Sequence, residues 1–145
     1  MTPNELVDKL REIEPASVYF LFGEERFYQS EIISALTSRI VTPENKEFNL
    51  EVFEAKNSNV EEWVEAANTF SFFGGRKLVK VRNLHEKSLD ASVARPLLNY
   101  IENPAPETCL VLTTDRIDRK RKLDKVLAGL STAVECSQPP EHSLP

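Results

Sequence analysis

Cysteine and histidine are scarce in this 145-residue chain, with two of each. A zinc site needs a cluster of these residues, so none is expected. Cys109 and Cys136 lie in separate strand-like runs, too far apart for a CxxC redox or metal motif. They read as buried thiols in a reducing compartment, which predicts a cytoplasmic protein. No apolar run approaches the ~20 residues of a membrane helix, and the first residues lack the charged-then-apolar order of a signal peptide. Positive charge is also short. The formal net charge is −5, so the chain alone is a poor general binder of phosphates. If it works near DNA, another subunit supplies most of the positive field. What is present is an ordinary 41% hydrophobic and 28% charged content, enough for one domain with a real core.

Apolar spacing predicts a helix from Pro3 to about Ile13, stopped by Pro15. Ser17 to Phe22 is almost wholly apolar, as a strand covered on both faces is. A long helix follows from Glu24 to about Val41, with Glu24 and Glu25 in its first turn, where the helix dipole favours negative charge. Asn49 to Phe53 reads as a shorter strand with Phe48, Leu50 and Val52 inward. Ser58 or Asn59 caps the next helix, with Glu61 or Glu62 as reciprocal partner and Val60, Trp63, Val64 and Ala67 as its core stripe.

Lys77 to Arg82 is the third strand. Ser88 to Ile101 is a helix with Leu89, Val93, Leu97, Leu98 and Ile101 apolar; Pro96 inside it predicts a kink or a later start. After a rigid loop at Asn103–Pro106 come the fourth strand, Thr108 to Thr114, and a charged helix from Asp118 or Arg119 to Leu130. The fifth strand is Thr132 to Cys136. Five alternations of strand and helix predict a three-layer α/β fold: a parallel five-stranded sheet with helices on both faces. Residues 1–138 form that domain. Residues 139–145, with Pro139-Pro140, read as the start of a linker, as in the front domain of a longer protein.

Nucleotide-binding versions of this architecture carry G-x-x-x-x-G-K-[ST] after the first strand, so that backbone N–H groups and a lysine surround the phosphates. Here the run is Gly23-Glu24-Glu25-Arg26-Phe27-Tyr28-Gln29-Ser30. The lysine and second glycine are missing, and two glutamates stand where phosphates would lie. The third strand ends Val81-Arg82-Asn83 in place of acidic residues that would handle magnesium. ATP binding in the usual mode is excluded, and neither a nucleotide nor a metal cofactor is expected. His85 lies in a loop and His142 in the tail, and no nucleophile–base set can be argued from spacing.

Against these shortages stands one aromatic excess. Thr69-Phe-Ser-Phe-Phe-Gly-Gly-Arg-Lys-Leu-Val-Lys-Val81 holds three of the eight phenylalanines and two of the four glycines. On a helix, Phe70, Phe72 and Phe73 would point roughly 0°, 200° and 300° around the axis. No single stripe buries all three. Gly74-Gly75 reads as the helix stop. Phe70 is nearly in line with Trp63. From the residues alone, the rings fit either a core or an exposed contact. The basic run Arg119, Lys120, Arg121 and Lys122 could touch DNA phosphates. A solvated helix face, interleaved with Asp115, Asp118 and Asp124, is the commoner outcome.

Four stretches, in order along nearly the whole chain, resemble the N-terminal domain of the delta-subunit family of bacterial DNA polymerase III clamp loaders. They are Val18-Tyr-Phe-Leu-Phe-Gly-Glu-Glu to Ile33; Thr69 to Val81; Tyr100-Ile-Glu-Asn-Pro-Ala-Pro-Glu-Thr-Cys-Leu-Val-Leu; and Asp118-Arg-Lys-Arg-Lys-Leu-Asp-Lys. The resemblance implies a RecA/AAA+-like domain that no longer binds ATP and has no catalysis of its own within the polymerase holoenzyme. It implies a partner, the ring-shaped sliding clamp, held open by apolar side chains entering a pocket on the ring. By position these are Phe70, Phe72 and Phe73, with Ser71 between. The family also uses methionine and leucine at the first two places, so an all-Phe set is a variation. Other loader subunits would be met through further domains, and DNA only indirectly. In a parallel α/β domain, a helix-to-strand turn lies at the edge opposite the nucleotide site. Two other classes stay open: a degenerate AAA+ module of another assembly, and a small α/β hydrolase or transferase using Glu24, Glu25 and His85.

Overall fold

The computed structural model describes residues 1–71 and 74–137. Five parallel strands form one sheet in the order β2-β3-β4-β1-β5: β1 (Val18–Phe22), β2 (Leu50–Glu54), β3 (Lys77–Arg82), β4 (Thr108–Thr114) and β5 (Ala133–Glu135). All seven residues of β4 are buried, so the strand must be apolar on both faces, and its Cys-Leu-Val-Leu run meets that need. Alternation in β1 divides the core. Val18 and Phe20 face one side of the sheet, with Trp63, Leu97 and Leu127 from helices α4 (Val60–Asn68), α5 (Ala91–Glu102) and α6 (Lys122–Ala128). Tyr19 and Leu21 face the other, against Leu6 of α1 (Pro3–Lys9) and Ile32 and Leu36 of α2 (Arg26–Ile40). The three-layer parallel α/β architecture is the one expected, and β3 and β4 have the expected bounds.

Several boundaries differ, each for a physical reason. Helix α1 stops at Lys9, and residues 10–13 continue as turns through Ile13 N–H to Lys9 C=O at 2.9 Å. Glu24 and Glu25 are outside the first turn of α2. Glu25 is its N-cap, its carboxylate accepting from the Phe27 N–H. Ahead of β2 the chain forms a one-turn helix, α3 (Lys46–Asn49). Phe48 and Val52 are not inward: β2 is the sheet's edge, and they remain 45% and 48% exposed. Asn59 and Glu62 make the reciprocal cap of α4. Helix α5 begins at Ala91, with Asp90 as its cap, and runs through Pro96, leaving Val93 outside the core. Helix α6 begins at Lys122, because Asp118 and Asp124 hold the preceding residues in a turn. The Asp118 N–H donates to Asp124 Oδ2 at 2.7 Å, and the Lys120 N–H to Asp118 Oδ1 at 2.9 Å. The fifth strand has only three residues.

Gly74-Gly75 does not stop α4, which ends at Asn68. Its last carbonyls are satisfied by side chains. Thr69 Oγ1 donates to Glu65 C=O at 2.7 Å, Lys77 Nζ to Ala66 C=O at 2.8 Å, and Thr108 Oγ1 to Ala67 C=O at 2.7 Å. With those acceptors occupied, no left-handed cap is needed. Residues 69–71 and 74–76 lie between α4 and β3, and Gly74 and Gly75 take positive φ there.

Gly23 joins β1 to α2 at φ +127°, and a Cβ there would fall 2.2 Å from the carbonyl oxygen of Cys136. We expect Gly23→Ala to destabilise the domain by at least ~2 kcal/mol, read as a lower denaturant midpoint. Burial pushes both thiols up to about 12. At pH 8 they are therefore thiols, not thiolates, and native protein should resist iodoacetamide; both cysteines should label once denaturant is added.

Candidate functional site

The strand ends provide two edges, about 20 Å apart along a six-residue strand. At the C-terminal edge lies a cleft of about 710 Å³ between the β1–α2 loop and the segment after β4. This is where the nucleotide motif would act. Gly23 aligns with its first glycine, Tyr28 with the second, Gln29 with the lysine and Ser30 with the Ser/Thr. Two backbone donors of this loop are engaged within the chain. Gly23 N–H donates to Thr114 C=O at 3.1 Å, and Glu25 N–H to Cys136 C=O at 2.9 Å. Buried Gln29 donates through Nε2 to Gly23 C=O at 3.0 Å and Thr114 C=O at 3.1 Å, tying β1 to β4 with a neutral amide. The lining includes Glu24, Glu25, Asp115 and Glu135 against Arg116 and Arg119. Sequence reading found the missing lysine. It did not find that Gln29 and Cys136 occupy the loop's hydrogen-bonding groups.

His85 does not line this cleft. It is half-buried, and its ring is committed to the fold. Nδ1 accepts the Asp115 N–H at 3.1 Å, which puts the proton on Nε2, 3.4 Å from Asp115 Oδ2. The trio of Glu24, Glu25 and His85 is thus not brought together around one reaction space. His142 and Pro139-Pro140 lie outside the described residues. Among the described residues, no group of three metal-ligating side chains converges, and no helix is long and apolar enough to cross a membrane.

The basic run is split by the late start of α6. Arg119 and Lys120 are exposed in the turn, and Lys122 is exposed as the helix's first residue. Arg121 is turned inward: Nε donates to Asp124 Oδ1 and Nη1 to Lys87 C=O, both at 2.8 Å. Its guanidinium holds the turn together and is not presented to solvent with its neighbours.

The N-terminal edge carries the aromatic segment. Phe70 is 77% exposed, more than any other large hydrophobic side chain among the described residues. The expected alignment with Trp63 fails, because α4 has ended two residues earlier; Trp63 itself is fully buried. Ser71 is half-buried, its hydroxyl donating to Asn49 Oδ1. Phe72 and Phe73 lie outside the described residues. Gly74 N–H returns to Ser71 C=O at 3.0 Å, and Gly74 and Gly75 hold φ of +73° and +75°, values that side-chain-bearing residues rarely adopt. Asn49 Nδ2 donates to Gly74 C=O at 3.1 Å and Arg76 C=O at 2.8 Å. Arg76 Nη1 reaches Pro15 C=O at 2.8 Å. Buried Lys77 pairs with Glu51 at 2.8 Å. An exposed ring therefore sits on a segment fastened at several points to α3, β3 and the α1–β1 connection.

A family model for "DNA polymerase III, delta subunit" matches residues 19–137. The chain belongs to this delta-subunit family. A curated relative, the DNA polymerase III subunit delta of Bacillus subtilis (strain 168), is 34% identical over 139 residues, covering 90% of this chain and 39% of the relative. The solved structure of the Bacillus subtilis DNA clamp loader delta protein superposes with a TM-score of 0.85 at 29% identity, over 95% of this chain and 43% of that one. A Thermotoga maritima DNA polymerase III gamma subunit-related protein matches with a TM-score of 0.60 at 16% identity, over 98% of this chain and 47% of that one; it shares the fold. The fold is thus the RecA/AAA+-like one of delta proteins. The chain spans about two-fifths of the length of its delta relatives.

A loop with Gly23 and Glu25 N–H engaged, no lysine, and acidic residues at its mouth should not take up nucleotide. A ligand at ~100 times its Kd adds ~2.7 kcal/mol and would raise Tm by several degrees. Millimolar Mg·ATP is expected to leave Tm within about 1 °C of the apo value in a thermal-shift measurement.

Proposed function

We propose that this delta-family domain binds a sliding clamp through Phe70, Phe72 and Phe73, and holds one interface of the ring open. The observation that carries the reading is Phe70: a large ring left in solvent on a fastened segment, at the edge away from the cleft. Other large apolar side chains, Phe27 and Phe48 among them, are exposed too, but Phe70 is the most exposed of those described and sits on a segment fastened by hydrogen bonds, as an interface anchor would.

The energetics are of the right size. Moving a two-state equilibrium from 1:99 to 99:1 needs ~5.5 kcal/mol of preference for one state. Each buried Phe contributes roughly 1.5–3 kcal/mol, so two or three rings supply that scale if only the open ring offers them a full pocket. The domain then acts by binding the open ring better than the closed one. Hydrolysis takes place in partner subunits, and contacts with them are assigned to the parts of the relatives beyond the matched region. DNA is met only through the assembled loader; exposed Arg119, Lys120 and Lys122 are the residues that could face it.

The test is binding of the chain to its cognate clamp by surface plasmon resonance. Phe72→Ala plus Phe73→Ala should weaken binding at least ~10-fold, about 1.4 kcal/mol or more, with Tm nearly unchanged. Phe70→Ala should add a further loss while shifting stability by less than about 0.5 kcal/mol. Undiminished affinity in the triple variant would refute the reading, and a large loss of stability would show that the rings are core.

A further inference from the structure

We propose that Asn49 is the positioning residue of the aromatic segment, fastening it at Ser71, Gly74 and Arg76 before its partner arrives. This deepens the clamp-binding reading and rests on it. Asn49 is fully buried at the end of α3, where its own N–H bonds to Asn45 C=O at 2.8 Å. A side-chain amide offers two donor hydrogens and one acceptor oxygen. All these functions are directed at one stretch of chain more than twenty residues away. Nδ2 donates to Gly74 C=O at 3.1 Å and Arg76 C=O at 2.8 Å, while Oδ1 accepts from the Ser71 hydroxyl.

The contacts bracket the aromatic positions on both sides. Ser71 is held before Phe72 and Phe73, and Gly74 directly after them. The space needs no amide: Leu50, next along, meets its burial with an apolar side chain, and a residue serving the core alone would do the same at 49. An asparagine that turns its whole polar end to the segment fixes backbone. Fixing the segment in advance removes an ordering loss that binding would otherwise bear, so affinity rises without any contact between Asn49 and the partner. Gly75 adds a backbone condition, since it holds φ +75°, a value that side-chain-bearing residues rarely adopt.

The test compares Asn49→Ala with the unaltered chain in two measurements. The first is amide hydrogen exchange without clamp. The Gly74 N–H should exchange at least ~10-fold faster in Asn49→Ala, while β1 and β4 amides keep their protection. The second is a double-mutant cycle on clamp affinity. Asn49→Ala should weaken binding ~10-fold in the normal background but less than about twofold when Phe72→Ala and Phe73→Ala are already present, because a residue acting through the rings has nothing left to position. A merely structural role predicts equal losses in both backgrounds and loosened β-strand amides, and would overturn the proposal. So would unchanged exchange at Gly74. If Asn49→Ala fails to fold, Ser71→Ala removes one of the three contacts from the half-exposed side and should give smaller changes in the same directions; none in either measurement would equally overturn it. Faster Gly74 exchange together with no clamp binding by the unaltered chain would uphold the ordering role of Asn49 and refute the clamp reading instead.

Discussion

A parallel sheet buried on both faces leaves polar backbone accessible where its strands begin and end and along its two edge strands, here β2 and β5. In this chain β4 is buried throughout and β1 nearly so, with helices against either side. What the domain can do with another molecule is therefore confined to the two ends of the strands, the sheet's edges and the outer faces of the helices. The two ends have been treated in opposite ways. At one, hydrogen-bonding groups are turned inward and engaged by Gln29 and Cys136. At the other, an aromatic ring is turned outward on a segment tied from below by Asn49, Arg76 and Lys77.

The outward segment depends on how α4 ends. Its final carbonyls are met by Thr69, Lys77 and Thr108, side chains from its own last turn and from two strands. The helix can stop without a glycine, and the two glycines are displaced into the following connection. Buried Lys77 acts twice. Its ammonium closes the helix end and pairs with Glu51 of the edge strand, locking helix, β3 and β2 at the foot of the segment. A buried ammonium left without such partners is strongly unfavourable, so the lysine constrains geometry as well as charge.

Much of this was legible in the residues. Thr108–Thr114 is legible as a continuous run of strand-favouring residues, and Lys77–Arg82 as the apolar Leu78, Val79 and Val81 between Gly74-Gly75 and Asn83. The Asn59–Glu62 cap follows from local spacing, since both partners belong to one turn. The lost nucleotide site was visible as two missing residues. What could not be read was non-local. Gly74-Gly75 reads as a helix stop because the donors that satisfy the last carbonyls of α4 are not local: Thr108, which donates to Ala67 C=O, lies forty-one residues away. The start of α6 was placed early because the Asp118–Asp124 turn competes with helix over the same residues. Phe70 was aligned with Trp63 on the assumption that the helix continued. Asn49 passed as the first residue of a strand, and no sequence signal marks an asparagine whose partners lie beyond Thr69.

Gln29 stands where the related motif has a positively charged side chain, and it makes neutral hydrogen bonds to two strand ends. A switch needs two ligands that pull one structure in different directions, and this loop has no group with which to tell a triphosphate from a diphosphate. On the clamp-binding reading proposed above, this loop would give the domain's hold on its partner no nucleotide switch. On the same reading, any rhythm of grasp and release would come from whatever covers or uncovers the aromatic segment.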